Sequence, residues 1–293
     1  MLNLAVIGTG RYGKNIIDAF KQLERQGLAQ LVSICEINRD LLDLHCERYQ
    51  VKGYTDYTTM FEKEKIDAVA IATPDHLHRE PCVYAAKLGK HILVEKPMDV
   101  SVEGCLEIME TAKKNNVLIQ VDFHKRYDPH HQQLCKDVRS GKFGIIEYGY
   151  VHMEDRIEVP SKWFSSWAHM SSPVWFLGVH FIDLVRWCIN SNGKCAYATG
   201  HKIKLKQMRI DTYDSVSAKV LFENDVSGKT VYKGYGIESI SDFVYNVRYL
   251  KDGGDFGQLK KNSISAFGED GLEVTKIAAA IHKSLETGEP VFI

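Results

Sequence analysis

A lysine at the end of an apolar segment is the first residue of this sequence that is placed to do chemistry. Lys96 follows the strand-like run 91–94, and Pro97 after it holds the preceding residue in an extended conformation. An ammonium group that directly follows a strand and is held in place by the proline is suited to contact a bound ligand. Taken by itself, a lysine is more often a surface residue, so this interpretation depends on the motifs around it.

A glycine-rich turn near the start of the chain is typical of a site for the phosphates of a dinucleotide. The turn consists of Gly8, Thr9, Gly10, Arg11, Tyr12 and Gly13, and it follows an apolar segment and opens a helical one. Glycines in this context let the backbone approach a pyrophosphate, and the first amide groups of the helix face its charge. The pattern alone is weak, but its position between a strand and a helix predicts a dinucleotide site.

The adenosine end of this site has a candidate in Glu36, at the end of the second apolar segment. An acidic residue about 20 positions beyond the glycines binds the ribose hydroxyls in such sites, and its charge repels a 2′-phosphate. Arg39 lies near enough in sequence to offset part of that repulsion. We therefore predict NAD and keep NADP as the alternative. For Glu36 itself, the alternative to a ribose-binding residue is a solvated loop carboxylate. Flavin competes for such a fold, but the later motifs argue against it.

A third motif, residues 72–78, follows the third clear strand of the first part of the chain. Ligands of open α/β sheets lie at the carboxyl ends of strands, so Thr73 and Pro74 are expected beside the cofactor. His76 and His78 superficially resemble a metal pair. No third ligand with suitable spacing accompanies them in the sequence, and we predict no metal site.

These motifs need a scaffold of alternating strands and helices. Apolar, β-rich runs at 4–7, 31–35, 68–72, 91–94 and 117–121 alternate with helical patterns at 12–26, 39–49, 58–64, 79–88 and 102–115. Strands that alternate with helices predict a parallel sheet covered on both faces. Residues 1–121 are therefore predicted to form a doubly wound Rossmann domain that binds NAD(P).

From residue 122 the pattern changes to longer alternating segments, which predict strands at 145–154, 196–206, 215–222, 227–234 and 243–250. An apolar helix at 174–189 interrupts them, and a helix from Leu272 to Leu285 ends at Gly288. Residues 122–293 are predicted to be an α+β domain with a large, mainly antiparallel open sheet. The fold class is thus α/β, with two closely packed domains that share a cleft.

Composition limits the partners and the compartment. The 293 residues include 37 basic and 38 acidic ones, a net charge of −1, so no strong field attracts nucleic acid or a membrane surface. Seven cysteines are scattered and never spaced Cys-x-x-Cys, which is typical of free thiols in a reducing compartment. No apolar run approaches the roughly 18 residues of a membrane span. With no signal-like start either, we predict a cytoplasmic protein.

The order of these motifs resembles the Gfo/Idh/MocA oxidoreductases over nearly the whole chain. Members of this family are NAD(P)-dependent dehydrogenases or reductases of sugars, cyclic polyols and sugar nucleotides. The resemblance implies a Rossmann domain and a substrate-binding α/β domain whose open sheet often forms a dimer interface, so a homodimer or homotetramer is expected. It is carried by Gly8 to Gly13, Ala72-Thr73-Pro74 with His78, Gly89-Lys90-His91, Glu95-Lys96-Pro97, Arg126, His180, Asp183 and the closing segment 284–291.

The resemblance also assigns roles to individual residues. Oxidising a secondary alcohol needs a base beside the nicotinamide, and His180 is the implied base, with a packed histidine as the alternative. Lys96 would hydrogen-bond the reacting oxygen and stabilise alkoxide charge. Asp183 lies on the same helical face as His180 and is expected to contact substrate or to fix the loop. The implied cofactor-binding residues are the six of the glycine-rich turn with Glu36, Thr73, Pro74, His78, Glu95, Lys96, Pro97 and Arg126.

Two features modify that expectation. Many similar dehydrogenases carry an aspartate one helical turn before the histidine, where Phe176 stands here and cannot accept a hydrogen bond. The turn-rich segment 160–169 contains Trp163 and Trp167, whose faces suit stacking on a sugar ring or a nicotinamide, and equally suit a core or interface anchor. The further candidates for contact with substrate are Tyr127, His152 and Tyr235.

The predicted function is hydride transfer between NAD(P) and a secondary alcohol or ketone of a sugar, cyclic polyol or sugar derivative. The expected partner is a small carbohydrate-like molecule. Two alternatives stay open. One is a reductase or glycoside-processing enzyme that keeps its NAD tightly bound, and the other is a dinucleotide-sensing regulator with altered catalysis, which Phe176 supports.

Overall fold

The computed structural model of the protein describes residues 1–223 and 237–293. The predicted strand at 227–234 and Tyr235 lie outside the described residues. Within them, the strands are β1 (Leu2–Ile7), β2 (Ala29–Cys35), β3 (Lys52–Tyr54), β4 (Ala68–Ile71), β5 (His91–Val94), β6 (Ile119–Val121), β7 (Gly193–His201), β8 (Ser215–Phe222), β9 (Ala266–Phe267) and β10 (Val291–Phe292).

The first sheet has the order β3-β2-β1-β4-β5-β6-β9. Strands β1 to β6 are parallel, and β9 pairs antiparallel with β6. In β1, Leu4 and Val6 belong to one apolar core, whereas Ala5 and Ile7 belong to the other. A strand buried on both faces is apolar at every position, which explains the uninterrupted apolar runs of the sequence. The sheet confirms the predicted Rossmann arrangement.

Helices cover both faces of this sheet, because each helix presents an apolar stripe at three- and four-residue spacing. None of the helices described by the structure is long and apolar enough to cross a membrane. Their bounds are α1 (Arg11–Arg25), α2 (Arg39–Tyr49), α3 (Tyr57–Lys63), α4 (Arg79–Lys87), α5 (Val102–Lys114), α6 (Pro129–Arg139), α7 (Val179–Ile189), α8 (Lys204–Gln207), α9 (Ile237–Lys251), α10 (Phe256–Asn262) and α11 (Gly268–Thr287).

The strand predicted at 243–250 is wrong, because this segment lies within α9. Phe243, Val244 and Val247 are fully buried, and they recur at the spacing of one helical face. Their aromatic and β-branched side chains favour a strand locally, but packing against α1 and the first sheet decides for a helix. Helix α9 packs on the first sheet and β9 is one of its strands, although both lie beyond residue 122 in the chain. The domain boundary between residues 121 and 122 therefore stays a prediction.

The second sheet has the order β10-β7-β8 and is antiparallel, as predicted. It has three strands in the described residues and is smaller than the large sheet that the sequence predicts. Strand β8 confirms the prediction at 215–222, whereas β7 ends at His201 and α8 follows it. Residues 145–154 form no strand, and their alternating Ile145, Tyr148 and Tyr150 are more than 80% exposed.

A disulfide joins Cys135 of α6 to Cys188 of α7. The prediction of free thiols is therefore wrong for this pair, and it holds for the other five cysteines. The two residues are 53 positions apart, and their Cα atoms lie 4.4 Å apart because α6 and α7 pack against each other. Nothing in the sequence spacing indicates a contact of this kind.

Reduction of this disulfide is expected to lower the free energy of unfolding by about 2–4 kcal/mol, because the open chain regains the entropy of a 53-residue loop. Urea unfolding with and without a reductant measures the difference. The matched control is the Cys135→Ala/Cys188→Ala double variant, whose stability should not respond to the reductant. An equal response of the double variant would assign the effect to another thiol.

Candidate active site

The glycine-rich turn lies between β1 and α1, close to the loop that follows β4. Gly8 has a φ of +84°, and a Cβ there would lie 2.6 Å from the carbonyl oxygen of Ala72. A Cβ at Gly13 would overlap the carbonyl of Gly8, so both positions require glycine. A Cβ at Gly10 would meet no atom within 4 Å, and no side chain caps the first amides of α1. The turn therefore offers open space for a pyrophosphate at the first turn of α1.

Glu36 lies at the tip of β2 beside this turn, where the sequence predicts it. Its carboxylate accepts a hydrogen bond from the backbone amide of Thr9 at 2.9 Å and another from Asn38 at 3.0 Å. The side chain is half-buried. A carboxylate fixed at this position fits the ribose hydroxyls of NAD and opposes a 2′-phosphate.

A buried histidine connects the loop after β4 to the turn after β5. His78 is fully buried, and its Nδ1 lies 2.7 Å from the carbonyl oxygen of Pro97 while its Nε2 lies 2.9 Å from that of Thr73. Thr73 in turn donates its hydroxyl to the carbonyl of Leu77 at 3.1 Å. These contacts hold the two loops together at the carboxyl end of the sheet, so His78 acts on the site through the backbone.

Lys96 is buried at the carboxyl end of β5, with 7% of its surface exposed. Its Nζ donates a hydrogen bond to the backbone carbonyl of Phe176 at 3.0 Å and lies 4.5 Å from the centre of the Phe176 ring. The face of the Phe176 ring stabilises the ammonium by a cation–π contact. An aspartate at position 176, as in many similar dehydrogenases, would instead neutralise the charge of the ammonium. An ammonium has three donor hydrogens, so Lys96 keeps donors for a bound oxygen.

His180 lies in the first turn of α7, directly after a wider helical turn at Val174–Gly178. The imidazole is 7% exposed, and among the described residues its Nδ1 has no hydrogen-bond partner. Burial lowers the pKa of His180 well below its usual value, and the positive charge of Lys96 and its neighbours lowers it further. The imidazole is therefore neutral at neutral pH, which is the form that acts as a base.

Two residues that the sequence interpretation missed, Asp122 and His124, lie next to His180 and Lys96. The rings of His124 and His180 are in edge contact, with centroids 4.8 Å apart. Tyr12 of the glycine-rich turn donates its hydroxyl to Asp122 at 2.7 Å. Both missed residues directly follow β6, and the carboxyl end of a parallel strand is the signal that could have identified them.

Glu95 is buried beside this group. Burial raises the pKa of Glu95 well above its usual value, and the nearby carboxylates of Asp122 and Asp75 add to the increase against the opposing charge of Lys96. Its Oε2 accepts the backbone amide of Lys96 at 3.1 Å, and its Oε1 has no partner in the described part of the chain. Glu95 is thus a buried carboxyl group beside Lys96 and Asp122, and its surroundings disfavour the ionised form.

Arg126 and Asp183 form a buried ion pair instead of lining the cleft. The guanidinium donates from Nε and Nη2 to the two carboxylate oxygens, at 2.8 and 2.5 Å. Asp270 approaches the same guanidinium at 3.2 Å. Burial alone would lower the pKa of Arg126, but the attraction of Asp183 and Asp270 outweighs it and raises the pKa. The pair connects the loop after β6 to α7, the helix that carries His180.

Tyr127 and His152 contact groups other than Lys96 and His180 in the described part of the chain. Tyr127 is buried, and its hydroxyl lies 3.0 Å from both Asp242 and Ser265. The side chain of His152 is 59% exposed and lies 3.3 Å from Glu154, in the irregular segment that follows α6. The structure therefore does not bring these two candidates to Lys96 and His180.

The segment with the two tryptophans does reach the site. Trp163 stacks on Arg11 of the glycine-rich turn, with the guanidinium carbon 4.0 Å from the ring centre. Trp167 packs on Phe164 at 4.7 Å between centroids, and Phe164 packs on Phe176 at the same distance. An aromatic cluster thus extends from the phosphate-binding turn to the ring beneath Lys96.

A Rossmann sheet, an open glycine-rich turn and a buried lysine and histidine at the same sheet edge define a dinucleotide-dependent oxidoreductase. Residues 2–123 match the family model described as "Oxidoreductase family, NAD-binding Rossmann fold", and residues 131–233 match "GFO/IDH/MocA C-terminal domain". The chain belongs to the Gfo/Idh/MocA oxidoreductase family, and its cofactor is NAD.

Relatives and solved structures agree with this assignment. The uncharacterized oxidoreductase YrbE of Bacillus subtilis is 24% identical, and the match covers 98% of this chain and 95% of YrbE. Myo-inositol 2-dehydrogenase of Thermotoga maritima is also 24% identical, but the match spans 68% of this chain and 58% of that protein. The structure of myo-inositol 2-dehydrogenase from Lactobacillus plantarum superposes with a TM-score of 0.81 at 23% identity, covering 100% and 99% of the two chains. Scyllo-inositol dehydrogenase from Lactobacillus casei, with bound NAD(H) and scyllo-inositol, has a TM-score of 0.77 at 19% identity, covering 100% and 99%.

Proposed function

We propose that this protein is an NAD-dependent dehydrogenase that oxidises a secondary alcohol of a cyclic polyol or sugar and reduces the corresponding ketone. The observation that carries the proposal is the burial of Lys96 and His180 together beside the glycine-rich turn. A buried ammonium and a neutral imidazole are the two groups that this reaction needs. The names of the inositol dehydrogenases among the relatives support the class of substrate.

The residues that would hold NAD are those of the glycine-rich turn, with Glu36 at the ribose and the loops containing Thr73, Pro74, His78, Glu95 and Pro97 beside the nicotinamide. When bound, NAD supplies the hydride acceptor of the reaction. In the proposed mechanism Lys96 donates a hydrogen bond to the substrate oxygen, and His180 removes the hydroxyl proton. Because the oxygen gains negative charge as its proton leaves, the ammonium stabilises the transition state more than the ground state.

The other predicted site residues take different roles in this proposal. Arg126, Asp183 and Tyr127 position the helix and loops around His180, since their polar atoms are bonded to protein groups. Trp163 and Trp167 are proposed to close over the cleft and pack on the sugar ring or the nicotinamide. His152 is exposed, and a substrate contact would require its segment to move.

Turnover on a panel of inositols, aldoses and glycosides tests the proposal directly. With NAD present, reduction of the cofactor should raise the absorbance at about 340 nm for at least one cyclic polyol or sugar, because Lys96 and His180 supply the polar groups and Trp163 and Trp167 the aromatic faces that such a substrate needs. NADP should support a lower kcat/KM, since Glu36 opposes the 2′-phosphate. Binding of NAD without turnover on any carbohydrate, in either direction, would contradict the proposal.

A second candidate function is an enzyme that keeps its NAD bound and regenerates it in each cycle, or a regulator that senses the dinucleotide. The observation that favours this group is Phe176, which gives Lys96 and His180 no carboxylate partner. Nucleotide released on denaturing the purified protein distinguishes a retained cofactor from an exchangeable one. Cofactor binding with neither turnover nor retained nucleotide would favour the regulator.

We further propose a homodimer or homotetramer in the cytoplasm. Strands β7 and β8 leave Tyr197 and Leu221 about half exposed, as an open sheet that meets a second copy does. Five free cysteines support a reducing compartment, whereas the disulfide Cys135–Cys188 argues against one.

A further inference from the structure

The surroundings of His180 contain positive charge that no carboxylate balances. Burial lowers the pKa of His180, and the three basic neighbours Lys96, His124 and Lys125 lower it further. Among the residues that the structure describes, no acidic group raises the pKa of His180 against them. Phe176, whose ring faces the ammonium of Lys96, carries no charge either. A substrate that binds against His180 therefore meets a positive field.

Lys125 is the neighbour whose charge lacks a partner. It lies in the short helical turn His124–Tyr127 after β6, and its side chain is partly buried. Among residues 1–223 and 237–293 its ammonium forms no ion pair and no hydrogen bond. Burial lowers the pKa of Lys125, and the charge of Asp128 offsets only part of that effect, since Asp128 accepts the first amides of α6. Charges removed from water are usually paired, so this ammonium favours a bound anion.

The residues before and after Lys125 fix its place beside the reacting groups. The ring of His124 is in edge contact with His180, with centroids 4.8 Å apart. Arg126 holds Asp183, which lies one helical turn beyond His180 in α7. The charge of Lys125 accordingly acts on both His124 and His180. Lys125 thus lies at the reacting end of the cleft.

The carboxyl groups near this end of the cleft are engaged with other groups. Asp122 accepts two hydroxyl hydrogen bonds, and its charge acts on His124 but not on His180. Asp183 is bound by the guanidinium of Arg126. The surroundings of Glu95 disfavour its ionised form. In the described part of the chain, therefore, no carboxylate is placed to neutralise Lys125.

We propose that the substrate is an anionic sugar or cyclic polyol whose carboxylate or phosphate group binds Lys125, an inference that rests on the proposed function. Lys96 and His180 act on a carbinol of the same molecule. A hydrogen bond between ions is roughly twice as strong as one between neutral groups, and an ammonium with three donors accepts either anion. A neutral polyol leaves Lys125 without a partner, which is the physical basis of the discrimination.

The cofactor is the competing partner of Lys125. The phosphates of NAD belong to the glycine-rich turn at the start of α1, whereas Lys125 follows β6 and acts on His180. The group of NAD expected near His180 is the nicotinamide, whose oxidised ring carries a positive charge. An ammonium repels a cationic ring, so the charges favour an anionic substrate over the cofactor as the partner of Lys125.

Matched neutral and charged compounds test the proposal in turnover: D-glucose against D-glucuronate and D-glucose 6-phosphate, and myo-inositol against myo-inositol 1-phosphate. For at least one set, kcat/KM should be about 10-fold or more higher for a charged member, because the neutral one leaves Lys125 unpartnered. Lys125→Met should lower that value by about 10–100-fold, mainly through KM, with the neutral compound and NAD affinity unaffected. Lys125→Arg keeps the charge and should restore most of the loss. The matched control is Lys113→Met, an exposed lysine of α5 that should behave as the parent.

Calorimetric binding of the same compounds to the NAD-loaded protein separates this inference from the proposed function. A charged member should bind more tightly than its neutral match, less tightly at high salt, and about as weakly as the neutral one in Lys125→Met. The carboxylate and phosphate arms identify the anion. Equal binding of charged and neutral members, an equal loss for both in Lys125→Met, or a loss of NAD affinity in that variant would overturn the inference. Binding without turnover would contradict the proposed function and leave calorimetry to decide the role of Lys125.

Discussion

Lys96→Met is expected to reduce kcat by about 10²–10³-fold while NAD binds with unchanged affinity, because one preorganised donor to the reacting oxygen is removed. Methionine fills a similar volume and is tolerated beside Phe176, so the fold should persist. The carbonyl of Phe176 loses its 3.0 Å hydrogen bond, a modest cost in stability. Steady-state kinetics on the substrate found in the panel, with NAD binding followed by fluorescence, measures both quantities.

Two further variants make this test specific to the ammonium at this position. Lys96→Arg keeps the charge but presents a planar fork that cannot occupy the same point, so it should recover little of the rate. Lys87→Met removes an exposed lysine of α4 and should leave kcat unchanged. A Lys96→Met enzyme with parental kcat would sink the proposed mechanism, and a parallel loss of NAD affinity would make Lys96 a cofactor-positioning residue.

Arg126→Met is expected to lower the free energy of unfolding by about 3–5 kcal/mol, since it leaves the buried carboxylate of Asp183 without a partner. Asp183 is completely buried and receives two hydrogen bonds from this guanidinium. Asp183 also lies one helical turn from His180, so kcat should fall together with stability. Urea unfolding without NAD gives the first quantity, and turnover at a temperature below the transition gives the second.

The double variant Arg126→Met/Asp183→Leu is the informative control. Replacing both members of a buried ion pair by apolar residues is often neutral, so this variant should be more stable than Arg126→Met alone. Lys283→Met removes one member of an exposed pair with Glu286 and should cost less than about 1 kcal/mol. Equal stability of Arg126→Met and the parent would show that the buried carboxylate is neutralised by other means.

The residues predicted from sequence fall into two groups when they are compared with the structure. Gly8, Glu36 and Lys96 follow strands and Gly13 lies in the first turn of α1, where the motifs predict them, because each motif includes the element that positions it. His152 is an isolated residue in a segment that the sequence predicts as a strand, and in the structure it is exposed and lies outside the described strands. Asp122 and His124 were missed because neither belongs to a recognised motif, although both directly follow β6.

The amino-acid sequence by itself determined the order of strands and helices in the Rossmann part, the glycine-rich turn and the position of Lys96 after β5. These features depend on periodicity and on residues within a few positions of one another, which a sequence shows directly. Only the tertiary structure decided which distant groups meet. Lys96 contacts a carbonyl 80 positions away, Arg126 pairs with Asp183 across 57, and Cys135 bonds Cys188 across 53. Such contacts depend on how helices pack on the sheet, and no local pattern of residues encodes that packing.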